Sequence, residues 1–184
     1  MIKFEKVSFE EFKKAFENEV AHKFTGYQCV TEEELKKYYD EIKLPERSTS
    51  GSAGYDFFAP FNFNFRPQYQ CKMSILCEEY QFLFPTGIRF VTDRDDIVLI
   101  CVPKSGLGCK YGMRLKNTVG VIDSDYFKSD NEGHIKVKMS LDSTFNYCVD
   151  RGKAFMQGVI VPFIKTDDDC VDSKRNGGFG STGV

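Results

Sequence analysis

What this chain of 184 residues lacks narrows the field first. It has no run of 18 apolar residues, which argues against a membrane-spanning helix. Its start, Met1-Ile2-Lys3-Phe4-Glu5-Lys6, lacks the apolar core of a signal peptide, so a cytoplasmic location is expected. No CxxC pair occurs. The seven cysteines (Cys29, Cys71, Cys77, Cys101, Cys109, Cys148, Cys170) are odd in number and irregular in spacing, so neither a disulfide framework nor a zinc site is indicated, and reduced, mostly buried thiols are expected. Histidine is confined to His22 and His134. Neither sits in a ligand cluster, and both read as packing or surface residues. Charge of one sign is scarce too: a net charge of −2 argues against a general nucleic-acid binder, but not against a small anion held by a few local donors.

What is present divides into three textures. Residues 1–46 carry helical patterns. Ser8 with Glu11, and Thr31 with Glu34, are capping-box pairs. Phe9, Phe12, Phe16 and Val20 follow the first, and Leu35, Tyr38, Tyr39 and Ile42 the second, both at helical spacing, with Pro45 as the stop. Residues 47–172 are short apolar segments punctuated by Gly, Pro and Asp. Phe61, Phe63 and Phe65 alternate with asparagines. Ile75–Cys77, Gln81–Phe84, Ile88–Val91, Ile97–Val102, Asn117–Ile122, Ile135–Met139 and Ala154–Phe163 read as further strands. Such a pattern predicts an all-β sandwich or barrel with a short helical N-terminal extension. Residues 173–184 are glycine-rich, with one aromatic and two cations, and are expected to be mobile when free.

Gly120-Val121-Ile122-Asp123-Ser124-Asp125-Tyr126 is the chemical centre. Leaving a strand, Asp123 and Asp125 would share a face, because strand side chains alternate with period two. Paired carboxylates in a cleft suit a general base with a supporting acid. Asp-Ser-Asp on its own also suits a tight turn in which the carboxylates cap backbone amides. Three more stretches place polar groups where a β scaffold presents loops. They are Ser52–Asp56, Pro103–Gly108, and Gly152 with Gln157. In the second, Lys104, the Ser105 hydroxyl and glycine-permitted amides offer a cradle for phosphate oxygens.

Taken in order with Gly177–Gly183, these stretches resemble the five motifs of the trimeric dUTP diphosphatase (dUTPase) family over residues 43–184. Ala53–Asp56 is similar to the first motif, Pro103–Gly108 to the second, Asn117–Tyr126 to the third, Gly152–Pro162 to the fourth and Gly177–Gly183 to the fifth. The resemblance implies a distorted jelly-roll β-barrel and a homotrimer whose sites draw motifs from more than one subunit. It implies hydrolysis of dUTP to dUMP and pyrophosphate, with Mg2+ on the triphosphate. It assigns Asp123 to activating the water that attacks the α-phosphorus. Tyr126 would lie under the deoxyribose and exclude a 2′-hydroxyl, and Asn117, Val121 and Ile122 would read the uracil edge. Lys104, Ser105, Gly106 and Gln157 would hold phosphates, Lys136 would add backbone contacts, and Asp56 would sit near the metal through water. In the tail, Phe179 would stack on uracil, with Gly180, Ser181 and Thr182 on the terminal phosphates.

The departures from the family pattern are specific. Lys104 stands where arginine is usual, Gly108 where alanine is, and Ala154 where arginine is common. Either Lys174 or Arg175 takes the place of the tail's arginine. Phe127–Gly133 reads as an insertion, and residues 1–46 lie outside the family core, leaving room for an unidentified protein partner of the N-terminal helices. Two other readings remain at this point: a dCTP deaminase-like enzyme, and a trimeric nucleotide-responsive interaction protein.

Overall fold

The computed structural model describes residues 1–21, 30–65, 83–142 and 146–171. In chain order these form β1 (Ile2–Lys6), α1 (Phe9–Phe16), a π-helical turn (Glu17–Ala21), α2 (Glu32–Asp40), β2 (Glu46–Arg47), β3 (Gly54–Phe58), β4 (Phe63–Phe65), β5 (Leu83–Pro85), β6 (Ile88–Thr92), β7 (Ile97–Pro103), α3 (Ser105–Tyr111), β8 (Met113–Leu115), β9 (Gly120–Asp123), a 3-10 turn (Tyr126–Lys128), β10 (Lys136–Leu141), β11 (Tyr147–Val149) and β12 (Ala154–Pro162). Every strand pairing among the described residues is antiparallel. A five-stranded sheet runs β2-β3-β12-β7-β9, a three-stranded one β5-β10-β8, and β1-β6 and β4-β11 form pairs. The body is mainly β, as the short apolar segments imply.

The core is built of phenylalanine. Phe57, Phe61, Phe63, Phe84, Phe90 and Phe155 are fully buried, and the Phe63 and Phe84 rings lie 4.2 Å apart. Each buried ring contributes about 1.5–3 kcal/mol relative to exposure. The alternation Phe63-Asn64-Phe65 does make a strand, β4, with Phe63 buried and Asn64 exposed.

The N-terminal segment departs from the helical extension that its capping boxes imply. Ile2–Lys6 is a strand, and it pairs with β6 from Ile2↔Thr92 to Lys6↔Ile88. Its Phe4 packs on Tyr55, Phe57 and Phe90. The helices that follow put Phe12, Phe16 and Leu35, and the turn after α2 puts Ile42, into the same core as the β body. The segment is therefore integral to the fold. Only the second capping box is reciprocal, with Thr31 and Glu34 each satisfying the other's amide. At α1 the Ser8 hydroxyl accepts from the Glu11 amide, but the Glu11 carboxylate turns elsewhere. The expected strand at Ile75–Cys77 lies outside the described residues, as do His22 and the tail from residue 172.

Candidate active site

Two strand edges frame a mainly apolar cavity of about 420 Å³. One wall is β9, which has a partner strand, β7, on one side only among the described residues. The other is the Lys136–Lys138 half of β10. That half pairs with β5, while β8 joins β10 only from Met139 onward. A strand edge presents a fixed row of N–H and C=O groups. Such a row can read the donor–acceptor pattern of a planar heterocycle much as a base pair does.

Asn117, Val121, Ile122, Asp123, Tyr126 and Lys136 all line this cavity, so six of the residues singled out in the sequence meet around one space. Leu83, Cys101, Leu115, Ile135 and Val137 form its apolar lining, and Lys116 and Lys138 add two cations. Gly120 lets β9 lie close over β7: a Cβ there would come within 3.1 Å of the Cys101 Cβ. Burial pushes the Cys101 thiol up to about 12, so this wall is neutral. The turn entering β9 is strained, with Thr118 at φ 68°, a conformation a β-branched residue rarely adopts.

The strand ends at Asp123, and Asp125 leads into the 3-10 turn with φ −94° and ψ −4°. Period-two alternation therefore stops before Asp125, and the expected shared face of the two carboxylates is not formed. Asp123 alone of the pair lines the cavity. Likewise Asn117 lies in a turn, since β9 begins only at Gly120. Tyr126 is nearly buried. Its hydroxyl donates to the His134 carbonyl at 3.2 Å and accepts from Asn131 Nδ2 at 2.9 Å.

A second cluster gathers Asp56, Lys104 and Gln157. The sequence placed the first two in loops; Lys104 does sit in the connection between β7 and α3, but Asp56 lies within β3. Cross-strand register makes the cluster: Gln157 on β12 faces Asp56 on β3 and Val102 on β7. The Asp56 carboxylate accepts from Lys104 Nζ at 2.6 Å, Gln157 Nε2 at 2.8 Å and Ser48 Oγ at 3.0 Å. Burial pushes this carboxyl up, but the bonds from Lys104, Gln157 and Ser48 outweigh it and hold it below its ordinary value. Ser48 went unnoticed in the sequence because only the β2–β3 pairing brings it there. Ser105 and Gly106 are exposed in the first turn of α3, and Lys104 and Gly106 line a neighbouring 400 Å³ cavity with Lys110 and Lys153.

The two clusters are apart within one chain. Asp123 faces Val98 and Gln157 faces Val102, so they differ by four residues along β7 and two strands across. Ordinary strand spacings make that about 16 Å. Lys174, Arg175, Phe179, Gly180, Ser181 and Thr182 lie outside the described residues.

A family model for dUTPase matches residues 40–183. The chain belongs to the dUTPase family. The deoxyuridine 5′-triphosphate nucleotidohydrolase of Lactococcus lactis is 37% identical over 166 residues, covering 88% of this chain and 99% of its own, an alignment too long to fit within residues 40–184. That of Neisseria meningitidis serogroup A is 35% identical over 146 residues, covering 77% of this chain and 88% of its own. Among solved structures, a dUTPase from Streptococcus mutans superposes with a TM-score of 0.56 at 31% identity, over 67% of this chain and 88% of that one. A dUTPase from phage phi11 of S. aureus, solved for the coordination of a structural Mg(II) ion, is similar in fold alone: TM-score 0.54, 18% identity, 72% and 91% coverage.

Proposed function

We propose that this chain hydrolyses dUTP to dUMP and pyrophosphate by water attack on the α-phosphorus, with Asp123 as general base, in a cytoplasmic homotrimer of distorted jelly-roll subunits. The observation that carries this reading is the cleft between β9 and β10, with Asp123 and Tyr126 on its lining. A uracil edge inserted there meets backbone groups of Val121 and Ile122 and the Asn117 turn. A cytosine would leave buried groups without partners, which costs more than the matched bonds gain. The Tyr126 ring lies beneath the deoxyribose and leaves no room for a 2′-hydroxyl, while Lys136 contributes backbone contacts.

Asp123 accepts the proton of a water held in line with the leaving pyrophosphate. The phosphates rest against Lys104, Ser105, Gly106 and Gln157. The 16 Å gap within one chain supports a site that takes these residues from a neighbouring subunit. The tail, residues 173–184, closes over the site, bringing Phe179 to the base and Gly180, Ser181 and Thr182, with Lys174 or Arg175, to the terminal phosphates.

Among the described residues, no three His, Cys, Asp or Glu side chains gather around one point. A magnesium ion carried on the substrate's phosphates keeps most of its waters and needs few direct protein ligands. Asp56, whose Oδ1 accepts from Gln157 Nε2 at 2.8 Å, is the residue to hold it through water. When bound, the ion neutralises phosphate charge.

The test is pyrophosphate release from dUTP and from the four canonical deoxynucleoside triphosphates, with magnesium present. Release from dUTP alone is expected, and an inert dUTP overturns the reading. Asp123→Asn should retain dUTP binding while losing about two to four orders of magnitude in kcat; wild-type turnover in that variant would remove Asp123 as the base.

A further inference from the structure

The insertion after Tyr126 is clasped to the N-terminal helix. Glu132 Oε2 accepts from the Ser8 amide at 2.8 Å, and Oε1 accepts from the Ser8 hydroxyl at 2.5 Å. Glu132 thus takes the position that Glu11 would hold in a reciprocal capping box, from 124 residues away. Glu11 is instead drawn to His134. The His134 Nε2 accepts from the Gly87 amide at 2.9 Å, and its Nδ1 lies 3.1 Å from Glu11 Oε1. A backbone amide can only donate, so the ring is the Nδ1–H tautomer and donates to Glu11. Between these anchors the backbone is tightly bent. Glu132 has φ 57°, and Gly133 has φ 71° in a space where a Cβ would stand 2.3 Å from the Phe127 Cα and 2.8 Å from the Tyr126 carbonyl.

The same short loop holds the cavity's tyrosine. Asn131 donates to the Tyr126 hydroxyl and accepts from the Gly133 amide, and the hydroxyl donates to the carbonyl of His134. A continuous set of bonds therefore runs from α1 through residues 131–134 to the wall of the nucleotide cleft. A non-glycine residue held at positive φ persists only where its surroundings impose it. Here the two bonds from Ser8 do so.

We propose that Ser8 and Glu132 are positioning residues that fix Tyr126 against the sugar, so that the N-terminal segment sets how strictly the site rejects a ribonucleotide. This rests on the reading of the cleft as the deoxyuridine site. In the full chain, Ser8→Ala and Glu132→Ala should each lower the ratio of kcat/KM for dUTP to that for UTP at least fivefold. The change should come mainly through a lower KM for UTP, with kcat for dUTP kept within twofold, and the double variant should be no worse than either single one. Glu132→Gln, which can still accept from the Ser8 amide and donate to its hydroxyl, should restore the ratio to within twofold of wild type. Thr31→Ala removes the cap of α2 and has no tie to the loop, so it should lower Tm comparably and leave the ratio unchanged.

An unchanged ratio in folded Ser8→Ala and Glu132→Ala overturns the proposal, and so does an equal fall in Thr31→Ala, which would make the effect one of stability alone. Tyr126→Ala, which removes the ring itself, separates the two levels. If it lowers the ratio while the clasp variants do not, the clasp is wrong and the sugar site stands. If it leaves the ratio unchanged, or if the wild-type chain does not turn over dUTP, the reading of the cleft itself fails.

Discussion

Asp56 is a nearly buried carboxylate made tolerable by three donors from three separate stretches of the chain. Asp56→Asn keeps the shape but turns one acceptor into a donor facing Lys104 or Gln157. An expected loss of about 1–3 kcal/mol follows from leaving such groups unmatched, read as a lower urea midpoint at an unchanged slope. His134 makes the opposite kind of test. Burial, opposed by the bond to Glu11, holds its pKa below the ordinary value of 6.5. As pH falls, the unfolded chain binds this proton before the folded one does. Stability is therefore full above pH 6.5 and declines as pH drops through it toward the folded pKa. His134→Gln, which offers an acceptor to Gly87 and a donor to Glu11, should flatten Tm against pH between about pH 8 and about pH 5. A variant profile as steep as that of the wild type would refute the assignment. The sequence reading of His134 as a packing residue is consistent with its burial. Its partners were illegible, because Glu11 and Gly87 reach it only through tertiary contacts.

At the level of elements, legibility followed continuity in the chain. Asn117 to Tyr126 is one unbroken stretch, so its residues reached one cleft together. β3 was missed because Tyr55-Asp56-Phe57-Phe58 lacks clean alternation. It lies between β2 and β12 in the sheet, and its polar member is satisfied across strands, which a one-dimensional pattern does not record. α3 looked like a loop because Gly106 and Gly108 interrupt it. It nevertheless forms and stops at Gly112, whose φ of 64° and close approach to Asp142 require glycine. β1 was legible in principle, since Ile2 and Phe4 alternate with Lys3 and Glu5; the stronger helical pattern behind it masked the signal. Because α1 is part of the common core, Phe12→Ala should cost about 3–5 kcal/mol, a large share of an ordinary domain's stability. Chemical denaturation would measure it. A loss below about 1 kcal/mol would return residues 1–46 to the status of an appendage.

For the whole molecule, the decisive feature is that one chain carries its candidate base and its candidate phosphate ligands on distant parts of one sheet. Closed symmetric assembly brings such halves together at each interface. Mixing two inactive variants then gives a quantitative expectation. Asp123→Asn and Gln157→Ala subunits, co-refolded in equal amounts, assemble some sites that take an intact Asp123 from one chain and an intact Gln157 from another. With random assembly, about a quarter of the sites are whole, so about a quarter of wild-type activity should return. Recovery of nothing, with trimers present, would mean that each site is built within one chain.

The sulfur beneath β9 carries a practical corollary. Cys101 is fully enclosed and stays protonated at neutral pH, whereas Cys109, Cys148 and Cys170 face solvent. Among the described cysteines, maleimide dyes, which react with thiolates, should attach at those three outer positions and spare the pocket wall. The folded protein can then carry a fluorescent reporter while its nucleotide cleft stays chemically untouched.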